Sequence, residues 1–193
     1  MPGLVLEGGT FRPVFSCGVM DALLDHDIMF DYVIGVSAGI TYAASYLSRQ
    51  RERNINILRQ YRGDKRYFGA RNLLHDHSIF GTDFVFDTIP NQLIPFDWEA
   101  YHRYKGRILV GVTNAETGRA EYLDGAKLDR TCTMLRATCA IPLYFPAVQL
   151  SGGTSSVMLC AHWPSGCSSL RYSVSRSNPA PPYCSSSLHR ATR

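Results

Sequence analysis

A serine stands between two glycines in Gly35-Val36-Ser37-Ala38-Gly39, where the stretch FDYVIGVSAGITYAASYL (residues 30–47) changes its period. Val33, Ile34 and Val36 read as a buried strand, whereas Ile40, Ala43, Ala44 and Leu47 recur at the spacing of a helix face. The five residues around the serine match G-x-S-x-G. Small flanking residues let a chain turn sharply from strand to helix, and the turn raises a strained, exposed serine. The chemistry that suits such a residue is acyl transfer, in which its hydroxyl oxygen attacks an ester carbonyl. About thirty residues earlier, Glu7-Gly8-Gly9-Thr10-Phe11-Arg12 lies directly after one apolar run and before another. Backbone N–H groups at a helix start can receive an anion. In acyl transfer that anion is the tetrahedral oxyanion.

Other chemistry-bearing residues carry less. The six cysteines (Cys17, Cys132, Cys139, Cys160, Cys167 and Cys184) form no C-x-x-C pair and have no zinc-type spacing. No metal site and no cofactor is expected. Cys132 and Cys139 share a helix face with Leu128 and Leu135, which marks them as small core residues. The segment from Arg51 to His77 mixes seven cations with Tyr61, Tyr67 and Phe68, but acids interrupt it, so it reads as a solvated helix and loop and no nucleic-acid partner is expected.

The elements that must position the serine follow from period and punctuation. Gly3-Leu4-Val5-Leu6 reads as a short buried strand, and Pro13 as the first residue of a helix whose face is Phe15, Val19, Ala22 and Leu23. The strand through Ile34, the serine turn and a helix to about Ser48 follow. Arg107 to Val112 and Glu121 to Leu123 read as strands, and Leu128 to Cys139 as a helix that Pro142 and Pro146 end. Strands alternating with helices predict an α/β fold. Phe15, Val19, Ile34, Ile40, Leu47, Val110 and Leu135 are expected to share one core.

Charge divides the chain. Residues 1–150 hold all 16 acids and 16 of the 20 Lys and Arg, whereas the last 43 residues hold no acid and twelve serines. The first 154 residues are therefore expected to form one domain, and 155–193 to be a Ser- and Pro-rich tail without fixed structure. No apolar run reaches the roughly 18 residues needed to span a membrane. The start, MPGLVLEGG, lacks a basic region ahead of an apolar one. A cytoplasmic protein is expected.

Three segments, LVLEGGTFRPVFSCGVMDALL, FDYVIGVSAGI and LRATCAIPLYFPAVQL, occur in that order over about residues 4–154. Together they resemble the patatin-like phospholipases, particularly their bacterial branch. The resemblance implies a three-layer α/β/α sandwich around a mostly parallel sheet, incomplete here at the C-terminus. It implies a serine lipid acyl hydrolase with a Ser-Asp dyad, a lipid or acyl-ester substrate and peripheral membrane contact. It makes Ser37 the nucleophile, Gly8, Gly9, Thr10 and Arg12 the oxyanion loop, and Gly35 and Gly39 the flanks of the nucleophile elbow.

Two departures bear on activity. The family loop has glycines where Thr10 and Pro13 stand, so a backbone donor is missing at Pro13. The family aspartate follows the I-P-x-x-F-P segment in an Asp-Gly-Gly or Asp-Gly-Ala motif, and the corresponding residues here, Ala147 to Thr154, contain none. Motif and composition break together, which suggests a shifted reading frame or a replaced end near Ser155. Asp124-Gly125-Ala126 spells the motif, but ahead of the Leu128 segment, where it reads as a turn. The rival reading is a non-catalytic remnant or lipid-binding pseudoenzyme. An α/β-hydrolase would need several strands before the elbow. A nucleotide-binding domain would need G-x-G-x-x-G or G-K-[ST], and neither is present.

Overall fold

The computed structural model describes residues 2–75, 78–141, 145, 147–150, 155–157 and 170–174. Three short apolar runs, β1 (Pro2–Leu6), β2 (Tyr32–Val36) and β3 (Arg107–Asn114), form the parallel centre of one sheet. Leu4 pairs with Val33 and Leu6 with Gly35, while Val33 pairs with Ile108 and Gly35 with Val110. Strand alternation then places Leu4, Leu6, Val33, Ile108 and Val110 on one face, and all five are buried. β4 (Ala120–Asp124) pairs antiparallel with β3. β5 (Val148–Gln149) joins β6 (Ser155–Val157), which pairs with the end of β3, and β7 (Leu170–Val174) pairs antiparallel with β1. The fold is α/β, as the alternating pattern predicts, with antiparallel edges around the parallel centre. Of the tail, residues 155–157 and 170–174 are strands, and the remainder lies outside the described residues.

Helices fill the connections. α1 (Val14–Asp25) links β1 to β2, and α2 (Ala38–Leu47) starts the link from β2 to β3. That link continues through α3 (Arg53–Tyr61), α4 (Asn72–His75), a π-helix (Phe84–Leu93) and α5 (Trp98–Arg103). Ile40, Ala43, Ala44, Tyr46 and Leu47 of α2 are buried with Met20, Leu58, Ile89 and Tyr101 in the core that also holds Leu4 and Val33. The opposite face of the sheet, with Val5, Ile34, Val36 and Leu109, is half-buried. Among the described residues helices flank the mostly parallel sheet, in keeping with the three-layer expectation.

Three sequence expectations are corrected. The buried face of α1 is Ser16, Cys17 and Met20, with Leu23 and Leu24 partly buried, whereas Phe15 is 69% exposed and Val19 half-buried. Both faces repeat at helical spacing, so period alone does not separate them. α1 lies against α2, and the small side chains of Ser16 and Cys17 allow a close approach that Phe15 would prevent. Ile34 leaves the shared core because its neighbours Val33 and Gly35 face the helices. The last helix, α6 (Thr133–Cys139), is shorter than the Leu128 to Cys139 reading. Asp129 accepts hydrogen bonds from Thr131 Oγ1 and Thr133 N, and Cys132 takes a left-handed φ of 55°, so residues 129–132 turn before the helix begins.

Two predictions follow from this burial. Met20→Ala should lower stability by about 2–5 kcal/mol, while Phe15→Ala should stay within about 0.5 kcal/mol. Urea denaturation of both variants measures the difference, and equal losses would contradict the register of α1. Burial pushes the Cys17 and Cys132 thiols up to about 12 from 9.0. Below the unfolded value both states hold these protons. Between about 9 and 12 the unfolded chain loses them first, so stability should fall over that interval. Thermal melts from neutral pH to pH 11 would read a decline setting in near pH 9.

Candidate active site

β2 and α2 share no linker other than Ser37, which has φ 54° and ψ −134°. That conformation is costly for a residue with a Cβ, by roughly 1–3 kcal/mol, and persists where surroundings enforce it. The enforcing contacts are identifiable. A Cβ on Gly35 would lie 3.0 Å from Ile40 Cβ, and one on Gly39 would collide with the Glu7 carbonyl. Both glycines thus let the first turn of α2 sit against the ends of β1 and β2. Ser37 N–H donates to Thr138 Oγ1 at 2.8 Å, and Thr138 Oγ1 donates onward to the Gly111 carbonyl at 2.5 Å. Thr138 is fully buried. Its single hydroxyl ties the elbow to α6 and β3.

The glycine loop reaches the same point. A Cβ on Gly8 would be 2.8 Å from Ser37 Cβ and 3.5 Å from Ser37 Oγ, so the bare backbone of Gly8 lies against the serine. Gly9 has a φ of 129°, and the Arg12 guanidinium folds over it, 2.7 Å from where a Cβ would be. Thr10 takes a φ of 57°, unusual for a β-branched residue, and its carbonyl accepts a hydrogen bond from Tyr42 Oη at 3.3 Å. Gly8, Gly9, Thr10 and Arg12 are therefore gathered at the elbow, where Gly35, Ser37 and Gly39 stand. Pro13 occupies the N-cap of α1, so the loop runs straight into the helix without a donor there.

Ser37 is 5% exposed, so the elbow carries its serine inside the protein and not on the surface as the motif alone suggests. Ser37 Oγ donates to Cys139 Sγ at 3.9 Å. Thr41 Oγ1, one turn along α2, donates to the Ser37 carbonyl at 3.1 Å and lies 3.6 Å from the same sulfur. With the Thr41 proton committed to that carbonyl, the thiol proton is the one available to Thr41. Burial pushes the Cys139 thiol above its ordinary value. At neutral pH it is a protonated thiol, and it cannot act as a base toward the serine. Among the described residues no carboxylate or imidazole is hydrogen-bonded to Ser37 Oγ. Neither do these residues bring together a group of His, Cys, Asp and Glu fit to hold a metal.

Asp124 stands away from this centre. It ends β4 opposite Leu109, two strand spacings from β2 and on the sheet side away from the elbow end, roughly 10 Å across and 10 Å along the strands. Its carboxylate accepts from Ala126 N at 3.2 Å, which makes it the cap of the turn at Gly125–Lys127. The turn reading holds.

An apolar cavity of about 70 Å³ begins one turn beyond the serine. Thr41, Tyr42, Tyr67, Phe86, Ile89 and Leu135 are among its walls. Sequence reasoning missed Thr41 and Thr138. Thr138 lies in the LRATCAIP stretch, but a threonine next to a cysteine in a helix gives no sign of a bond made 101 residues away.

A parallel-centred α/β sheet thus carries a strained serine between β2 and α2, with a glycine loop from β1 against it. The family model for patatin-like phospholipase matches residues 4–161, and the chain belongs to that family. Its members act on lipids. Among curated proteins no relative matches the chain.

The Thr138 bridge makes a stability prediction. Thr138→Val keeps the shape but leaves the Ser37 N–H and the Gly111 carbonyl buried without this partner, at a cost of about 1–3 kcal/mol for each group left unpaired. Thr138→Ser, which retains the hydroxyl, should lose less. Denaturation of the two variants gives the comparison, and an unperturbed Thr138→Val would show that the bridge does not hold the elbow.

Proposed function

We propose that the chain is a serine lipid acyl hydrolase of weakened activity, with Ser37 as its nucleophile. The observation that carries this reading is the contact of Gly8 with Ser37, which sets backbone beside the atom that would attack. Ser37 Oγ adds to the carbonyl carbon of a lipid ester and, for want of a side-chain base, gives up its proton to water, while the carbonyl oxygen takes the negative charge. Loop N–H groups of Gly8 to Thr10 receive that charge, with the Arg12 guanidinium adding a positive field. Collapse breaks the ester C–O bond, the leaving oxygen takes a proton from water and departs as the alcohol, and an acyl serine remains. Water then attacks the acyl group and releases the fatty acid. The cavity beyond Thr41, with its aromatic and aliphatic walls, accommodates part of the acyl chain.

Proton transfer is where the site is weak. The family uses an aspartate, giving a Ser-Asp dyad, and here Ser37 meets a neutral thiol. Loss of a base commonly removes about 10⁴ to 10⁶ in rate, while an oxyanion hole and binding retain roughly 10³ to 10⁴ over water. A second reading, a lipid-binding pseudoenzyme or non-catalytic remnant, is favoured by the same thiol. Free thiols at Cys17, Cys132 and Cys139 accord with a cytoplasmic setting. No helix of the described residues is long and apolar enough to cross a membrane, so membrane contact would be peripheral.

Hydrolysis of a p-nitrophenyl acylate tests the reading. The parent chain should turn over slowly, Ser37→Ala should abolish turnover, and Asp124→Asn should leave it unchanged. Turnover that survives Ser37→Ala overturns the hydrolase. A parent chain without turnover that still binds a fluorescent fatty acid establishes the pseudoenzyme.

A further inference from the structure

Between α3 and the π-helix the chain makes an excursion that is both apolar and cationic at its surface. Phe68, Leu73 and Leu74 are 48%, 50% and 81% exposed. Arg62, Lys65, Arg66 and Arg71 are exposed on the same stretch. Its sole carboxylate over residues 62–74, Asp64, is taken by Arg66 at 2.8 Å. Arg62, Lys65 and Arg71 form no ion pair among the described residues.

The excursion is held in shape, so these side chains are presented and not merely loose. Gly69 N donates to the Ile79 carbonyl at 2.9 Å, and Gly81 N to the Tyr67 carbonyl at 3.2 Å. Asn72 Nδ2 reaches the Lys65 and Ile79 carbonyls at 3.2 and 3.1 Å, closing the loop on itself. Behind the exposed residues runs a line of rings. Phe68 packs on Phe80 at 5.0 Å, Phe80 on Phe11 at 6.2 Å and on Phe145 at 5.7 Å, and Phe11 stacks on Tyr67 at 6.5 Å. Phe11 belongs to the glycine loop against Ser37. The apolar surface is therefore continuous from solvent to the nucleophile's own loop.

We infer that this face docks the protein on an anionic lipid surface. Leu73 and Leu74 enter the acyl boundary, Arg62, Lys65 and Arg71 meet the phosphates, and Phe68 opens the aromatic line that leads to Phe11. A bilayer suits both halves of the pattern, because it offers apolar depth under a negative surface. The inference rests on the acyl hydrolase reading for its purpose, and its test needs no turnover.

Sedimentation of the full chain with vesicles of phosphatidylcholine, with or without phosphatidylglycerol, supplies that test. Binding should favour the mixed vesicles and weaken as salt screens the charges. Lys65→Glu with Arg71→Glu should reduce partitioning at least tenfold, given that each cation near such a surface contributes roughly fivefold. Leu73→Asp with Leu74→Asp should remove binding to either composition, with melting transitions like the parent's. Ser37→Ala should bind as the parent does, so loss of hydrolysis and loss of docking are read apart. Equal binding to both compositions, or binding that survives the leucine and cation substitutions, which would place the contact in the basic residues beyond 170, overturns the inference. So does a dimer of the parent that the leucine pair dissolves, which would make the face an interface between copies.

Discussion

The backbone of Ser37 is held where an ordinary residue would not rest, and the remaining architecture converges on holding it. A left-handed φ at the end of β2 is stable only if the chain on both sides is fixed. Gly39 fixes one side by letting α2 press on the carbonyl end of β1, where a methyl group would collide. Thr138 fixes the other side by accepting from Ser37 N and donating to Gly111. Three strands and two helices thus share one point, and none of them can shift without breaking a buried hydrogen bond or creating a clash.

The strain is supported by burial and not by ions. Arg49–Asp27, Arg51–Asp25 and Arg103–Glu99 join side chains that are about half or more exposed, where solvent leaves each pair worth little. Leu4, Leu6, Val33, Ile108 and Val110 are nearly inaccessible, as are Met20, Tyr46 and Leu47 on the helices against them. A few such side chains, at about 1.5–3 kcal/mol each for full burial, exceed the cost of one strained residue. The elbow can therefore be kept without the charge network.

The same packing separates geometry from proton chemistry. Oxyanion stabilisation would depend on backbone already in place, and the backbone of Gly8 lies against Ser37. Activation of the hydroxyl depends on a neighbour able to accept a proton, and burial has left Cys139 neutral in that neighbourhood. Arg53 illustrates the opposite sign. Burial lowers its value to about 10, which still leaves it a cation at neutral pH, and its guanidinium donates to the Ile94 carbonyl and lies over the Phe96 ring. Burial suppresses the charge of an acid and weakens that of a base, and partners decide which group stays ionised.

Much of the site was legible in the sequence because its parts are local. A glycine beside a serine, a Gly-Gly turn after a strand, and an apolar period that changes at Ser37 report backbone demands within a few residues, and the strand–turn–helix unit and the glycine loop follow from them. The helix face of Ile40, Ala43, Ala44 and Leu47 was legible for the same reason. What period could not decide was rotation and partnership. Phe15 and Ser16 differ by one position, and the face toward α2 was chosen by how closely two helices can approach. Ile34 and Val33 differ likewise, and the sheet's register settled which one enters the core. The bond from Ser37 to Thr138 spans 101 residues and the contact with Cys139 spans 102. No local pattern encodes them, because they exist only once β2, β3 and α6 have been packed together. The sequence by itself determined where a nucleophile could stand, and the tertiary structure decided what would stand beside it.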